Sequence, residues 1–264
     1  MHEILITVAM PVFNAGKFLK PALLSIINQT YTNWELIIVD DGSTDGCFDD
    51  LPELNDARIK VLSDKKNKGI AFRLNEIIDM AKGDYLARMD SDDISHPQRF
   101  ELQLKHLQSF AYIDLVATRA FTIDKESKIT GELPFKETHN EICAMPWLGF
   151  YMPHPSWMGK IDWFKKHRYA EPAFYLCEDQ ELLLRSFSTS KFSTLNQHLL
   201  SYRVDNSINK KLFKTRVAFF KAQFQYFINN HNYCFLMLAS AVLLGRLVKD
   251  SIRNVNSLYK GRGV

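Results

Sequence analysis

Tyr85-Leu-Ala-Arg-Met-Asp-Ser-Asp-Asp-Ile94 decides how this 264-residue chain is read. It begins as a short, mostly apolar run, read as a buried strand, and stops in three carboxylates, Asp90, Asp92 and Asp93. Carboxylates crowded at a strand end repel one another, and a cation between them relieves the repulsion. Hard divalent cations such as Mn²⁺ or Mg²⁺ take oxygen ligands, commonly one or two carboxylates plus the phosphates of a substrate. By itself the stretch fits equally well a solvated acidic turn that caps the next helix.

Upstream of it, strand and helix alternate. Ile4–Met10 is a β-branched apolar run bounded by Pro11, which predicts a buried strand. Phe18, Leu19, Ala22, Leu23, Ile26 and Ile27 then recur at helical spacing, with Pro21 in the first turn, where its missing N–H costs little. Leu36–Val39 reads as a second strand, ending in Asp40-Asp41-Gly-Ser-Thr-Asp45, and Arg58–Leu62 as a third. Ile70, Leu74, Ile77, Ile78 and Ala81 give an amphipathic helix, with Gly83 as its stop signal. Downstream, Pro97 opens another helix, with Phe100, Leu104 and Leu107 inward. This alternation predicts an α/β fold: a mainly parallel, Rossmann-like sheet flanked by helices. Ligands of such sheets bind outside the carboxyl ends of the strands, where both acidic clusters lie.

The second half is less regular. Leu115–Ile123 and Ile129–Leu133 pair as a predicted hairpin, and Glu137–Ala144 reads as a short helix. Pro153-His-Pro-Ser-Trp-Met-Gly159 is a rigid loop running into a strand. Glu178–Phe187 is a predicted helix with acids at its favourable N-terminal end, and Phe192–Leu195 and Leu199–Val204 are closing strands. From Lys210 an aromatic stripe at helical spacing is interleaved with Lys and Arg, followed by the apolar run Tyr233–Leu244.

Hydrophobic residues make up 46% of the chain, enough for a sizeable core, and the net charge is only +3. It is unevenly spread. From Arg203 onward eleven Lys/Arg face two Asp/Glu, a net +9, which leaves −6 on residues 1–202. An acidic catalytic body with a basic tail facing a polyanion is the reading this asymmetry suggests. The four cysteines, Cys47, Cys143, Cys177 and Cys234, form no metal-binding spacing and no disulfide framework, which suits a reducing cytosol. The first residues enter a strand without a basic-then-apolar signal pattern, and no run of 18 apolar residues predicts a membrane span.

No GxGxxG and no GxxxxGK[ST] occurs, which disfavours a dinucleotide fold and a Walker-type loop. What remains is a nucleotide held by side-chain acceptors, with its diphosphate on a metal. Asp40 can accept from a base N–H. One of Asp90, Asp92 and Asp93 can take ribose hydroxyls while another binds the cation. Asp40-Asp41-Gly-Ser can also be a plain turn with an Asx cap.

Met10-Pro-Val-Phe-Asn14, Gln29-Thr-Tyr31, Leu36–Asp45, Asn67-Lys-Gly69 and Ala87-Arg-Met-Asp-Ser-Asp-Asp-Ile-Ser95 occur in this order. Together they resemble the family 2 glycosyltransferases of the GT-A fold, over about residues 3–205. The resemblance implies inverting transfer of a sugar from a nucleotide-sugar donor, most often a UDP-sugar, to a hydroxyl acceptor. It matches Asp40 to the uracil-contacting acid and Pro11, Val12 and Phe13 to the lining of the base pocket. Asp90 and Asp92 match the DxD pair, Asp93 extends it, and Asp92 and Asp93 both stand as metal ligands. Asp179 of Glu178-Asp179 matches the base. An inverting displacement needs one carboxylate on the face opposite the leaving diphosphate. Glu178 and His154 match positions near acceptor or phosphates, and Arg203 matches a basic residue that reaches the diphosphate. His154 also reads as a structural loop histidine, and Trp147 and Trp157 read equally as acceptor-stacking or core.

These matches divide the chain into a GT-A glycosyltransferase domain, 1–205, and a basic, amphipathic C-terminal helical extension, 206–264. The extension either covers the domain or lies, through 210–262, on an anionic membrane surface. A saccharide or lipid-linked saccharide acceptor, in surface polysaccharide or lipopolysaccharide assembly, would suit a cytoplasmic enzyme peripheral to the inner face of the cell membrane. Nucleic acid is not an expected partner. Two rivals are a sugar nucleotidyltransferase, for which Ala9–Gly16 lacks the Gly-rich loop, and a non-catalytic nucleotide-sugar-binding subunit.

Overall fold

The computed structural model describes residues 3–174, 176–204 and 209–260; for 209–211 and 251–260 the backbone alone is described. The described residues form nine strands and eight α-helices. The first half comprises β1 (Ile6–Val12), α1 (Leu19–Ile27), β2 (Trp34–Asp40), β3 (Ile59–Ser63), α2 (Ile70–Met80), β4 (Tyr85–Arg88), β5 (Ile94–Ser95) and α3 (Arg99–Ser109). Then follow β6 (Leu115–Ile123), β7 (Ile129–Glu132), α4 (His139–Ile142), β8 (Met158–Lys160), α5 (Ile161–His167), α6 (Glu178–Ser186) and β9 (Phe192–Arg203). A helical hairpin, α7 (Asn209–Asn229) and α8 (Tyr233–Lys260), closes the described chain.

One mixed sheet runs in the order β3-β2-β1-β4-β8-β6-β9-β5, with β7 paired to β6. The β3-β2-β1-β4 half is parallel, as the alternation predicts. Antiparallel β8 joins that half to β6 and β9. Both faces are buried. Ala9, Ile37, Val39 and Leu86 point to one core, with α2, α5, α6 and the hairpin. Val8, Met10, Leu36, Ile38 and Ala87 point to the other, with α1 and α3. Strands buried on both faces must be apolar throughout, so these runs do not alternate.

Several elements differ from the sequence reading. Pro11 lies within β1 rather than ending it. Ala9 turns its carbonyl toward β4, accepting from Met89 N–H, and Pro11, two residues on, faces the same way beyond the last β1–β4 pairing. Its missing N–H therefore costs no ladder bond. The two closing strands are one strand, β9, whose register shifts opposite Arg119. The short β5 and the helix α5 carried no strong periodicity and were not expected.

The hairpin packs on the domain. Ala218, Phe219, Phe227 and Ala239 belong to the same core as the sheet. Gln223 Nε2 donates to the Pro146 carbonyl and Arg246 Nη2 to that of Leu148. Its outward face is apolar too: Phe224 and Ile228 on α7, and Tyr233, Met237, Leu244 and Val248 on α8, are exposed. Among the described residues no helix is long and apolar enough to cross a membrane. The expected boundary between 205 and 206, and the side chains of Lys210, Lys211, Arg253, Lys260 and Arg262, lie outside the description.

Candidate functional site

The carboxyl ends of β2, β1 and β4 lie side by side, so the two acidic loops flank Pro11-Val-Phe13. Val12 is in register with Asp40, and its carbonyl accepts from Asp41 N–H at 2.7 Å. Pro11 and Val12 are buried, whereas Phe13 is 51% exposed at the mouth. Asp40 Oδ1 accepts from Ser43 N–H and Oδ2 from the Ser63 hydroxyl, both at 2.8 Å. Each oxygen keeps a lone pair for a further donor. Asp41 does a different job. It accepts from the N–H groups of Lys68 and Gly69 and from Arg73 Nε, the last at 2.8 Å. The loop holding Asn67-Lys-Gly69 is thereby closed over Gly42, where a Cβ would come within 3.1 Å of the Lys66 backbone. Arg73 is 1% exposed and also pairs with Asp64 and Glu76.

The β4 end is short of positive charge. Arg88, 2% exposed, ion-pairs with Asp90 at 2.5 Å, and its Nε and Nη1 have no partner. Burial, then the neighbouring Asp90, pushes Asp92 up to about 6. Burial, with Asp90 and Asp92, holds Asp93 well above the usual carboxylate range. Asp93 is 1% exposed; Oδ1 accepts from Arg203 N–H at 2.8 Å and Oδ2 is buried without a partner. Asp92 is the more open of the two.

Arg203, matched in sequence to a diphosphate-binding residue, bonds backbone and turn groups beside the acidic loop. Its Nε donates to the Asp92 carbonyl at 2.8 Å, Nη1 to the Asp124 carbonyl and Nη2 to the Ser127 hydroxyl at 3.1 Å. The guanidinium lies 4.2 Å from the centre of the Phe18 ring. Three of its five N–H donors go to backbone and turn, which ties the acidic loop to the 124–127 turn.

The second acidic pair opens α6 on the far side of Arg88. Burial, then the adjacent Asp179, raises Glu178 to about 7 against the pull of Arg88. Burial raises Asp179 as well, opposed first by a hydrogen bond from Gln180 and also by Arg88. His154 lies beneath: Nε2 is 2.7 Å from the Tyr169 hydroxyl and Nδ1 is 4.0 Å from Glu178 Oε1. Burial, with Arg88 as a second cause, holds its imidazole well below its ordinary range, so it is neutral at pH 7 and offers no cation to phosphates. Trp157 is core, and Trp147 packs on Phe235 of α8 with ring centres 4.8 Å apart.

A divalent cation suits the β4 end. Of the three carboxylates within four residues, Asp90 is ion-paired to Arg88, the buried guanidinium groups of Arg203 and Arg99 lie near Asp92 and Asp93 but donate to other acceptors, and one Asp93 oxygen is orphaned. Among the described residues no group of three or more His, Cys, Asp or Glu is arranged around a metal position.

The sequence reading did not single out Arg88, although an arginine inside the run Tyr-Leu-Ala-Arg-Met is the signal that could have found it. A charge on a buried strand must be paired or serve a site. Gln180 and Tyr169 gave no such signal.

Residues 7–168 match the family model described as Glycosyl transferase family 2. The chain belongs to that family. Family 2 relatives include the O-antigen biosynthesis glycosyltransferase WbnJ of Escherichia coli, 31% identical over 78% of this chain and 82% of that protein. The UDP-Glc:alpha-D-GlcNAc-diphosphoundecaprenol beta-1,3-glucosyltransferase WfgD of Escherichia coli is 34% identical over 54% of this chain and 56% of its own. Other curated relatives are matched over about half their length. In fold, the chain resembles the S. aureus TarS 1-349 structure in complex with UDP, with a TM-score of 0.64 at 19% identity. That match covers 82% of this chain and 64% of the other. The Pyrobaculum calidifontis mannosyltransferase PcManGT, in complex with GDP-Man and Mn²⁺, covers 97% of this chain and 79% of its own, with a TM-score of 0.60 at 15% identity. The expected GT-A type of fold, with helical C-terminal part, is thus the observed one, and the chain is a family 2 glycosyltransferase.

Proposed function

We propose that the chain moves a hexose from a UDP-sugar, with inversion, to a hydroxyl of a saccharide or lipid-linked saccharide in surface polysaccharide or lipopolysaccharide assembly. The observation that supports this is the gathering of two acidic groups, Asp90–Asp93 and Glu178-Asp179, around the buried Arg88. WbnJ is named for O-antigen biosynthesis, WfgD for transfer from UDP-Glc to a GlcNAc-diphosphoundecaprenol, and TarS was solved with UDP.

Asp40 receives the base N–H with its remaining lone pairs, and Phe13 covers the base. Asp90 takes the ribose hydroxyls. Asp92 holds Mn²⁺ or Mg²⁺; Asp93, enclosed and committed to β9, holds the loop. When bound, the cation offsets charge that develops on the leaving diphosphate. Asp179 takes the proton from the acceptor hydroxyl as its oxygen attacks the anomeric carbon and the bond to the diphosphate breaks. Burial makes that carboxylate a stronger base than one in water. Glu178, poised near neutrality, holds the acceptor hydroxyl in line.

The outward apolar face of the hairpin, in a segment carrying +9 from Arg203 onward, fits the surface of an anionic membrane. Residues 206–264 would then hold the domain, 1–205, on the inner face of the cell membrane near a lipid-linked acceptor.

Release of UDP from UDP-sugars with Mn²⁺, with and without acceptor, tests the reading. Asp92→Ala and Asp179→Ala should each lower acceptor-dependent turnover by about 100-fold or more. Unchanged turnover in Asp179→Ala would sink the base assignment. Pyrophosphate release would instead mark a nucleotidyltransferase, and binding without release a non-catalytic subunit.

A further inference from the structure

Gln180 sits where the catalytic pair meets the hairpin. Its Oε1 accepts from Phe150 N–H at 2.8 Å, and its Nε2 donates to the Phe150 carbonyl at 3.1 Å and to Asp179 Oδ2 at 3.2 Å. Both ends of the side-chain amide therefore hold Phe150 of the 145–150 loop, and its Nε2 also reaches the carboxylate. The loop is itself clamped from α7 and α8. Gln223 Nε2 holds the Pro146 carbonyl and Arg246 Nη2 the Leu148 carbonyl, each at 3.0 Å. Gly149 between them has φ of +106°, and a Cβ there would fall 2.8 Å from Gln180 Oε1 and 3.4 Å from Phe219 of α7. Only glycine lets hairpin, loop and Gln180 close on one another at this point.

We propose that Gln180 is a positioning residue that fixes the orientation and basicity of Asp179, and that the docked α7–α8 hairpin acts on the base through it. This rests on Asp179 being the base. The groups facing Asp179 are Glu178 and Cys177 beside it, Arg88 from β4, and Tyr169 from the loop before α6; Asp90 and His154 lie against Glu178. Arg88 and the Gln180 amide favour the ionised form, while burial and Glu178 oppose it. Removing the amide donor leaves Arg88 and the backbone N–H groups of Asp179 and Gln180 against burial. Gln223 and Arg246 touch neither carboxylate, so any effect of theirs on the base must pass through the loop.

The pH profile of kcat/KM tests this in the full chain. Gln180→Glu keeps the acceptor for Phe150 N–H but loses the donor and adds a like charge. Its acid limb should move up by about one pH unit, with kcat near neutrality down about tenfold and KM for the UDP-sugar within about twofold. Arg246→Ala should shift the limb the same way by a smaller amount, although its side chain is far along the chain from α6. The charge that Gln180→Glu adds moves the limb by itself, so Gln180→Leu, which loses the donor without adding charge, is decisive: its limb should also move up, and a lower active fraction with the limb unmoved overturns the proposal. An unshifted limb in Arg246→Ala removes the hairpin from it. Asp179→Asn is the control: full activity there defeats the base reading, whereas an inactive Asp179→Asn beside an unshifted Gln180→Leu defeats only the role given to Gln180.

Discussion

The two acidic loops look alike in sequence and differ in physics. At the end of β2, Asp40 and Asp41 are finished structures. Each carboxylate oxygen accepts at least one hydrogen bond, and Asp41 neutralises a buried arginine. At the end of β4, Asp90, Asp92 and Asp93 share Arg88 with Glu178 and Asp179. One oxygen has no partner, and burial pushes Asp92, Asp93, Glu178 and Asp179 upward. The first loop is complete without a ligand. The second is the one for which we propose a cation and substrate oxygens, which would relieve carboxylates crowded out of water. The difference teaches that acid count at a strand end does not mark a metal site; unbalanced charge does.

The largest effect that could break this contrast is at Asp41. Asp41→Ala leaves Arg73 buried beside two half-exposed partners and frees the 65–69 loop, and should destabilise the fold by about 3 kcal/mol in denaturant unfolding. Retained stability would mean that the β2 loop is not held by its charges.

A smaller effect separates the loops by pH. Asp92, raised to about 6, and Glu178, raised to about 7, bind protons in the folded chain at pH values where the unfolded chain has released them. Their contribution is full below the unfolded carboxylate range near pH 4 and is lost as pH rises through about 6 to 7. In EDTA, Tm should therefore fall by about 5 °C between pH 5 and 7.5, and Mn²⁺ with UDP should remove most of that fall. Asp92→Asn should flatten the EDTA curve. A curve already flat in the parent chain would put the β4 loop in the same class as the β2 loop.

The smallest stability effect lies on the hairpin. Leu244, 65% exposed, touches no core, so Leu244→Ser should change stability by less than about 0.5 kcal/mol. Sedimentation with anionic vesicles should nevertheless fall, because the apolar face loses area at its centre. Equal sedimentation would leave that face to another partner.

Much of the fold was legible because β1, β2, β4 and α2 carry strong local signals: continuous apolar runs for strands buried on both faces, and a clear 3.6-residue period. β5 has two residues and owes its existence to pairing with β9, while α5 packs three large side chains in seven residues, too few to show a period. In the site, the acids were legible because carboxylates at strand ends are chemically conspicuous. The roles of Arg203 and His154 were not. A guanidinium reaches phosphate or carbonyl equally well, and the structure turns Arg203 toward the carbonyls of Asp92 and Asp124. His154 is neutral because it is buried, which no residue next to it in sequence dictates.

By itself the sequence determined the alternation of strand and helix, the acids at the ends of β2 and β4, and a tail that is both apolar and basic. Local periodicity and residue chemistry are enough for these. Tertiary structure alone decided that Arg88 acts on Glu178 and Asp179 as well as on Asp90, that Arg203 N–H bonds Asp93, and that Gln180 links Asp179 to Phe150 in the loop that the hairpin holds. Charge balance and hydrogen-bond satisfaction depend on which groups meet in space, and these meet only when β4 and β9 lie in one sheet and α6 packs in the core beside it.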